Sequence, residues 1–161
     1  MPLRRFLRLT SQERRLLVGA TALLTLIHLS LGRVPFAMLR RIVAGGPRHR
    51  RWSATVDRAL ADQIVWAVTA ASDRIPGGPT CLSRALTVQS MLARRGYPSR
   101  LHVGVVRGAQ GEVEGHAWVE GEGRVLIGGT VAEIRQFTRL AAFDVESAFT
   151  QPAAGTLPGS R

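Results

Sequence analysis

Apolar positions recur at helical spacing as far as Gly96 and alternate beyond Arg100, so the chain reads as helices followed by strands. Thr10-Ser11-Gln12-Glu13 has capping-box spacing and predicts a helix from there to about Leu31. Pro35 suits the start of a second, short helix through Phe36, Leu39 and Val43, closed by Gly45-Gly46-Pro47. Ser53 fits the N-cap of a third helix reaching about Ser72, with Val56, Leu60, Ile64, Val65 and Val68 as its apolar stripe. The run Ile75-Pro76-Gly77-Gly78-Pro79 cannot be helical throughout and delivers the chain to Cys81. There Thr80 caps a fourth helix, with Leu82, Ala85, Leu86, Met91 and Leu92 mostly on one face. It stops near Arg95-Gly96, with Pro98 just beyond.

From Arg100 to Arg107, Leu101, Val103 and Val105 alternate with His102, Gly104 and Val106, so the first set faces a core and His102 the other side. A second strand runs from Val113 to Glu120, with His116, Trp118 and Glu120 on one face and Ala117 and Val119 on the other. Gly121-Glu122-Gly123 reads as a hairpin turn into a third strand, Arg124 to Ile127. Thr130 to Glu133 again has capping-box spacing and predicts a short helix. The first nine residues read as frayed and those after about Thr150 as a disordered tail. Helices followed by antiparallel strands make an α+β fold, with no internal repeat and no linker.

A chain of 161 residues suits one domain. Its formal net charge of +11 divides it. Residues 1–52 hold eleven arginines against one acid, Glu13, and form a basic helical region; residues 53–149 form a nearly neutral core and 150–161 the tail. That basic third suits an anionic membrane surface or an acidic peptide. Nucleic acid is not expected, since no binding motif occurs and only 6% of residues are aromatic. The seventeen residues between Arg15 and Arg33 carry neither acid nor arginine, as a signal peptide or a short span would. Thr21, Thr25, His28 and Ser30 interrupt that run, and a capped, acid-bearing start is unlike a signal sequence, so a buried or interfacial helix is the expectation.

The single cysteine excludes an internal disulfide and suits a reducing, cytoplasmic compartment. The four histidines (His28, His49, His102, His116) are dispersed without metal-ligand spacing, so neither metal nor cofactor is expected. Cys81 would occupy the first turn of its helix, where unpaired N–H groups and the positive end of the dipole favour a thiolate. His116 follows 35 residues later on a strand. A nucleophile on a helix start with a base on a nearby strand is what cysteine acyl transfer requires. The backbone N–H of Cys81 would supply one oxyanion donor.

Cys-Leu-Ser-Arg-Ala-Leu at Cys81 to Leu86, Arg-Arg-Gly-Tyr-Pro-Ser-Arg-Leu at Arg94 to Leu101 and His-Ala-Trp-Val-Glu at His116 to Glu120 carry a resemblance. They resemble lasso-peptide biosynthesis B proteins, in their transglutaminase-like leader-peptidase half. Thr-Ser-Gln-Glu-Arg-Arg-Leu-Leu and Val-Pro-Phe-Ala-Met-Leu-Arg-Arg extend the similarity upstream, to roughly residues 8–143. It implies a transglutaminase-like or papain-like cysteine protease fold, with N-terminal helices and a cysteine-bearing helix packed on a small antiparallel sheet. It implies Cys81 as nucleophile, His116 as base, and cleavage of the leader from a precursor peptide before a separate ATP-dependent macrolactam cyclase acts. With about 75 residues ahead of Cys81, all reading as helices, a separate leader-recognition protein is the expected partner. The family carries an aspartate twelve residues after the histidine, where this chain has Gly128. A backbone carbonyl, Glu120, or an acid from elsewhere (Asp62, Glu133, Asp144) is left to orient the imidazole. A transglutaminase-type acyltransferase and a catalytically silent scaffold protein are the alternatives in other classes.

Overall fold

Helix α1 (Ser11–Ser30) begins where the sequence places it. The Thr10 hydroxyl accepts the Glu13 N–H at 3.2 Å and the Glu13 carboxylate takes the Thr10 N–H at 2.7 Å, satisfying two otherwise unpaired donors. The computed structural model describes residues 9–35, 38 and 57–144. The expected short helix after Pro35, the Ser53 cap and the C-terminal tail therefore lie outside the described residues. Within them, helix α2 (Arg58–Ser72) is capped by Asp57, whose carboxylate accepts the Leu60 N–H at 3.0 Å.

Helix α3 (Cys81–Ala93) is capped by Thr80, whose hydroxyl accepts the Ser83 N–H at 3.2 Å. It packs against α1, α2 and the sheet at once. The single apolar face expected from its sequence is thus too narrow a description. Ser83, Thr87, Gln89 and Ser90 are buried alongside Ala85, Leu86, Val88, Met91 and Leu92. Their polarity is absorbed locally. Thr87 donates to the Ser83 carbonyl at 2.7 Å, Ser83 to the Thr80 carbonyl at 2.9 Å, and Gln89 to the Phe143 carbonyl at 2.7 Å.

Strands β1 (Arg100–Arg107), β2 (Val113–Gly121), β3 (Arg124–Ile127) and β4 (Thr138–Asp144) form one antiparallel sheet in the order β3-β2-β1-β4. Between β3 and β4 lies the short helix α4 (Val131–Ile134), with the predicted capping box at Thr130. Strand β4 was not legible: Thr-Arg-Leu-Ala-Ala-Phe-Asp neither alternates nor carries β-branched residues beyond its first. It is an edge strand, joined to β1 across an irregularity between Val103 and Gly104.

One sheet face carries Leu101, Ala117 and Val119 and closes on the helices. Leu16, Leu17, Ala20, Leu24 and Ile27 of α1 join the same core as Ala61, Ile64, Ala67, Val68 and Ala71 of α2. The basic N-terminal region therefore supplies core wall as well as charge. Arg58–Glu122 at 2.7 Å and Arg124–Asp62 at 2.8 Å pin α2 to the β2–β3 hairpin, though both pairs are solvent-exposed and contribute little each. If α1 is integral to the core, Leu24→Ala should cost about 2–5 kcal/mol of stability. Chemical denaturation would check this, and a loss no larger than that of an exposed-site control would refute it.

Candidate active site

Cys81 is the first residue of α3, partly exposed, and its apolar neighbours belong to the helical core. Its own N–H is among the first four of the helix, which have no intrahelical partner. Helix α3 lies against the Ala117 and Val119 side of β2, the strand that carries His116, and no hydrogen bond joins Cys81 to His116 in the structure.

The His116 ring lies on the β2 face that also carries Trp118, turned away from Ala117 and Val119. It is stacked between two aromatic rings: Phe137 at 4.9 Å between centroids and Trp118 at 6.2 Å. Trp118 in turn stacks on His102 at 5.3 Å, giving the row Phe137, His116, Trp118, His102. Gly104 faces His116 across β1 and β2. A Cβ there would come within 3.1 Å of both Trp118 Cη2 and Phe137 Cβ, so its bare backbone leaves room for the two rings that flank the imidazole.

The imidazole is oriented by backbone. His116 Nε2 lies 2.5 Å from the carbonyl oxygen of Gly128. A carbonyl can only accept, so Nε2 is the donor, and in the neutral ring Nδ1 then presents the lone pair. Gly128 is held at φ +106°, and a Cβ on it would fall 2.5 Å from Trp118 Cβ and 2.7 Å from Trp118 Cα. No aspartate fits at that position in this backbone. Main chain thus stands where the resembling family has a carboxylate.

Each acid named as a substitute is engaged elsewhere. Glu120, expected as a third member because it shares a strand face with His116, instead accepts Trp118 Nε1–H at 2.9 Å and an Arg139 N–H at 2.8 Å. Its other oxygen lies 3.2 Å from His102 Nε2. Trp118 stands between it and His116, and that is why the shared face did not bring them together. Asp62 pairs with Arg124 and Asp144 with Arg100. Glu133 accepts the Thr130 N–H at 2.6 Å, and that bond, then the Thr130 hydroxyl, holds its carboxyl below the usual range. His116 adds only a smaller attraction to Glu133.

His102 is the residue that alternation underestimated. It lies off the helical core yet is 3% exposed, because Trp118 stacks on it. Its contact with Glu120 is close but off hydrogen-bond alignment, and neither ring nitrogen has a hydrogen bond. Burial pushes its pKa below the ordinary 6.5, opposed by the Glu120 charge and aided by Arg139 and Arg100. Among the described residues no group of three or more histidine, cysteine or acidic side chains could hold a metal ion.

A capped helix that opens on a cysteine is thus laid on an antiparallel sheet whose second strand carries an oriented histidine. A family profile described as the transglutaminase-like superfamily matches residues 22–142, about three-quarters of the chain. The chain belongs to the transglutaminase-like superfamily. No curated protein and no solved structure matches it.

Two outcomes check this geometry. Gly128→Asp should lower stability by at least about 2 kcal/mol, from positive-φ strain and collision with Trp118. It should also fail to improve any activity; a stable variant with raised turnover would contradict the assignment. Separately, because the folded state disfavours protonated His102, its contribution to stability is fully present above pH 6.5 and is lost as pH falls below that value. The denaturant midpoint should drop on mild acidification and drop less in His102→Leu. Equal slopes in the two proteins would refute it.

Proposed function

We propose that this protein is a cysteine peptidase that removes the leader from a lasso-peptide precursor, with Cys81 as nucleophile and His116 as general base. The observation that carries the reading is the His116–Gly128 contact, because it orients the imidazole in a chain without the family's aspartate. The residue blocks around Cys81, Arg94 and His116 supply the resemblance to that peptidase half. Superfamily membership supports thiol chemistry without choosing its substrate.

In this mechanism substrate binding brings Cys81 to His116, whose Nδ1 takes the thiol proton as the sulfur attacks the scissile carbonyl carbon. The oxyanion that forms is stabilised by the Cys81 N–H at the start of α3. The imidazolium then returns the proton to the departing amine, which becomes the N-terminus of the core peptide. Water, deprotonated by the same nitrogen, releases the leader from the thioester. Trp118, fixed by Glu120 and covered by Arg139 at 5.6 Å from its ring, keeps the imidazole from tilting. The freed amine is what an ATP-dependent macrolactam cyclase would consume, and a separate leader-recognition protein would present the precursor.

The test is precursor cleavage read by mass spectrometry, with and without the leader-recognition protein. Wild type should cut only in its presence, and Cys81→Ala and His116→Ala should each lose activity by at least about 10³-fold. Cleavage by Cys81→Ala would refute the nucleophile. Incorporation of an added amine into a glutamine-bearing acceptor would move the protein to the acyltransferases. If wild type cuts nothing and its thiol alkylates slowly near neutral pH, the scaffold reading takes over.

A further inference from the structure

Helix α1 is apolar on two sides. Leu16, Leu17, Ala20, Leu24 and Ile27 are buried in the core. On the other side Val18, Leu26 and Leu29 are 59%, 59% and 55% exposed, with exposed Ala22 between them. Positions 18, 22, 26 and 29 follow helical spacing, so they form a continuous stripe about 17 Å long rather than scattered exposed residues. A continuous exposed apolar surface on a folded domain marks a contact site.

Charge narrows what that contact is. Exposed Arg15 and Arg33 stand beyond the two ends of the stripe. Between Glu13 and Asp57 the chain has eight arginines and no acid, and Glu13 itself is engaged by Thr10. A second copy packed on this face would bring arginine against arginine with no acid of the helix between them. Three polar side chains on or just after α1 turn onto its own backbone. Thr21 donates to the Leu17 carbonyl, Ser30 to that of Leu26, and Arg33 to that of Leu29. The surface therefore offers aliphatic contact and positive charge, with few directional hydrogen bonds to set the register of a folded partner. An anionic lipid surface needs only the two things offered. Among the described residues no helix is long and apolar enough to cross a membrane, and the inner face of α1 is committed to the core, so the helix would lie in the headgroup plane.

We propose that the stripe formed by Val18, Ala22, Leu26 and Leu29, with its flanking arginines, docks this protein on anionic lipid bilayers. The proposal stands independently of the peptidase reading, because vesicle binding is read without substrate. The experiment is co-sedimentation of the full chain with vesicles of phosphatidylcholine alone and of phosphatidylcholine mixed with phosphatidylglycerol. Wild type should pellet with the anionic vesicles, less so as salt rises, and not with the neutral ones. Leu26→Ser/Leu29→Ser should weaken that binding about tenfold or more, with circular dichroism confirming the fold. Val18→Ser alone should weaken it in the same direction, should the double variant fail to fold. Equal pelleting of wild type and stripe variants, no preference for anionic vesicles, or a stripe-dependent dimer in lipid-free solution would each overturn the proposal.

Discussion

Helix α3 is enclosed through its middle, while its first residue, Cys81, stays partly exposed. The helices pack against it on one side and β1 and β2 on the other, so its middle has no solvent face. That enclosure explains why Ser83, Thr87 and Gln89 find partners in carbonyls of Thr80, Ser83 and Phe143 rather than in water. It also sets the direction in which Cys81 emerges. The preceding Pro76-Gly77-Gly78-Pro79 turn stops any helical approach, and the Thr80 cap fixes where regular structure begins.

The second constraint sits on the opposite face of the sheet. Phe137, His116, Trp118 and His102 form a row whose position depends on three backbone accommodations. Gly104 leaves space beneath the rings, Gly128 brings its carbonyl to Nε2, and the β1–β4 irregularity leaves Leu140 unpaired and sets Arg139 opposite Gly104. The row converts a solvent-facing strand side into a buried one, at the cost of an unsatisfied His102. Glu120 and Arg139 close its end as an ion pair that also covers the indole. The glutamate of the His-Ala-Trp-Val-Glu block thus serves the tryptophan rather than the histidine.

Two surfaces of one small domain then divide the work proposed for it. The start of α3 and strand β2 hold the groups proposed for acyl transfer, while the outer side of α1 holds an apolar stripe amid positive charge. Both rest on one core, because α1 buries Leu16, Leu17, Ala20, Leu24 and Ile27 against the helices that position Cys81.

Much of this was local enough to be read from the chain. Capping boxes at Thr10 and Thr130, the Thr80 cap, the alternation in β1 and β2 and the Gly121 to Gly123 turn each depend on neighbours within a few residues, and each lies where the sequence puts it. The pairing of a helix-start cysteine with a strand histidine was likewise legible as a hypothesis. What the chain could not reveal depends on atoms far apart in sequence. Strand β4 exists because β1 offers it an edge, not because its residues prefer extension. His102 is buried by Trp118 across the ladder, and Glu120 is drawn to Trp118, His102 and Arg139 by proximity that face-sharing alone cannot rank. Gly128 reads in one dimension as a missing aspartate. Only the folded backbone, with its positive φ and a carbonyl 2.5 Å from the imidazole, makes it the partner of His116. Local hydrogen bonding and periodicity determine elements; which side chain a buried polar group meets is decided by packing, where the penalty for leaving it unpaired is set by everything around it.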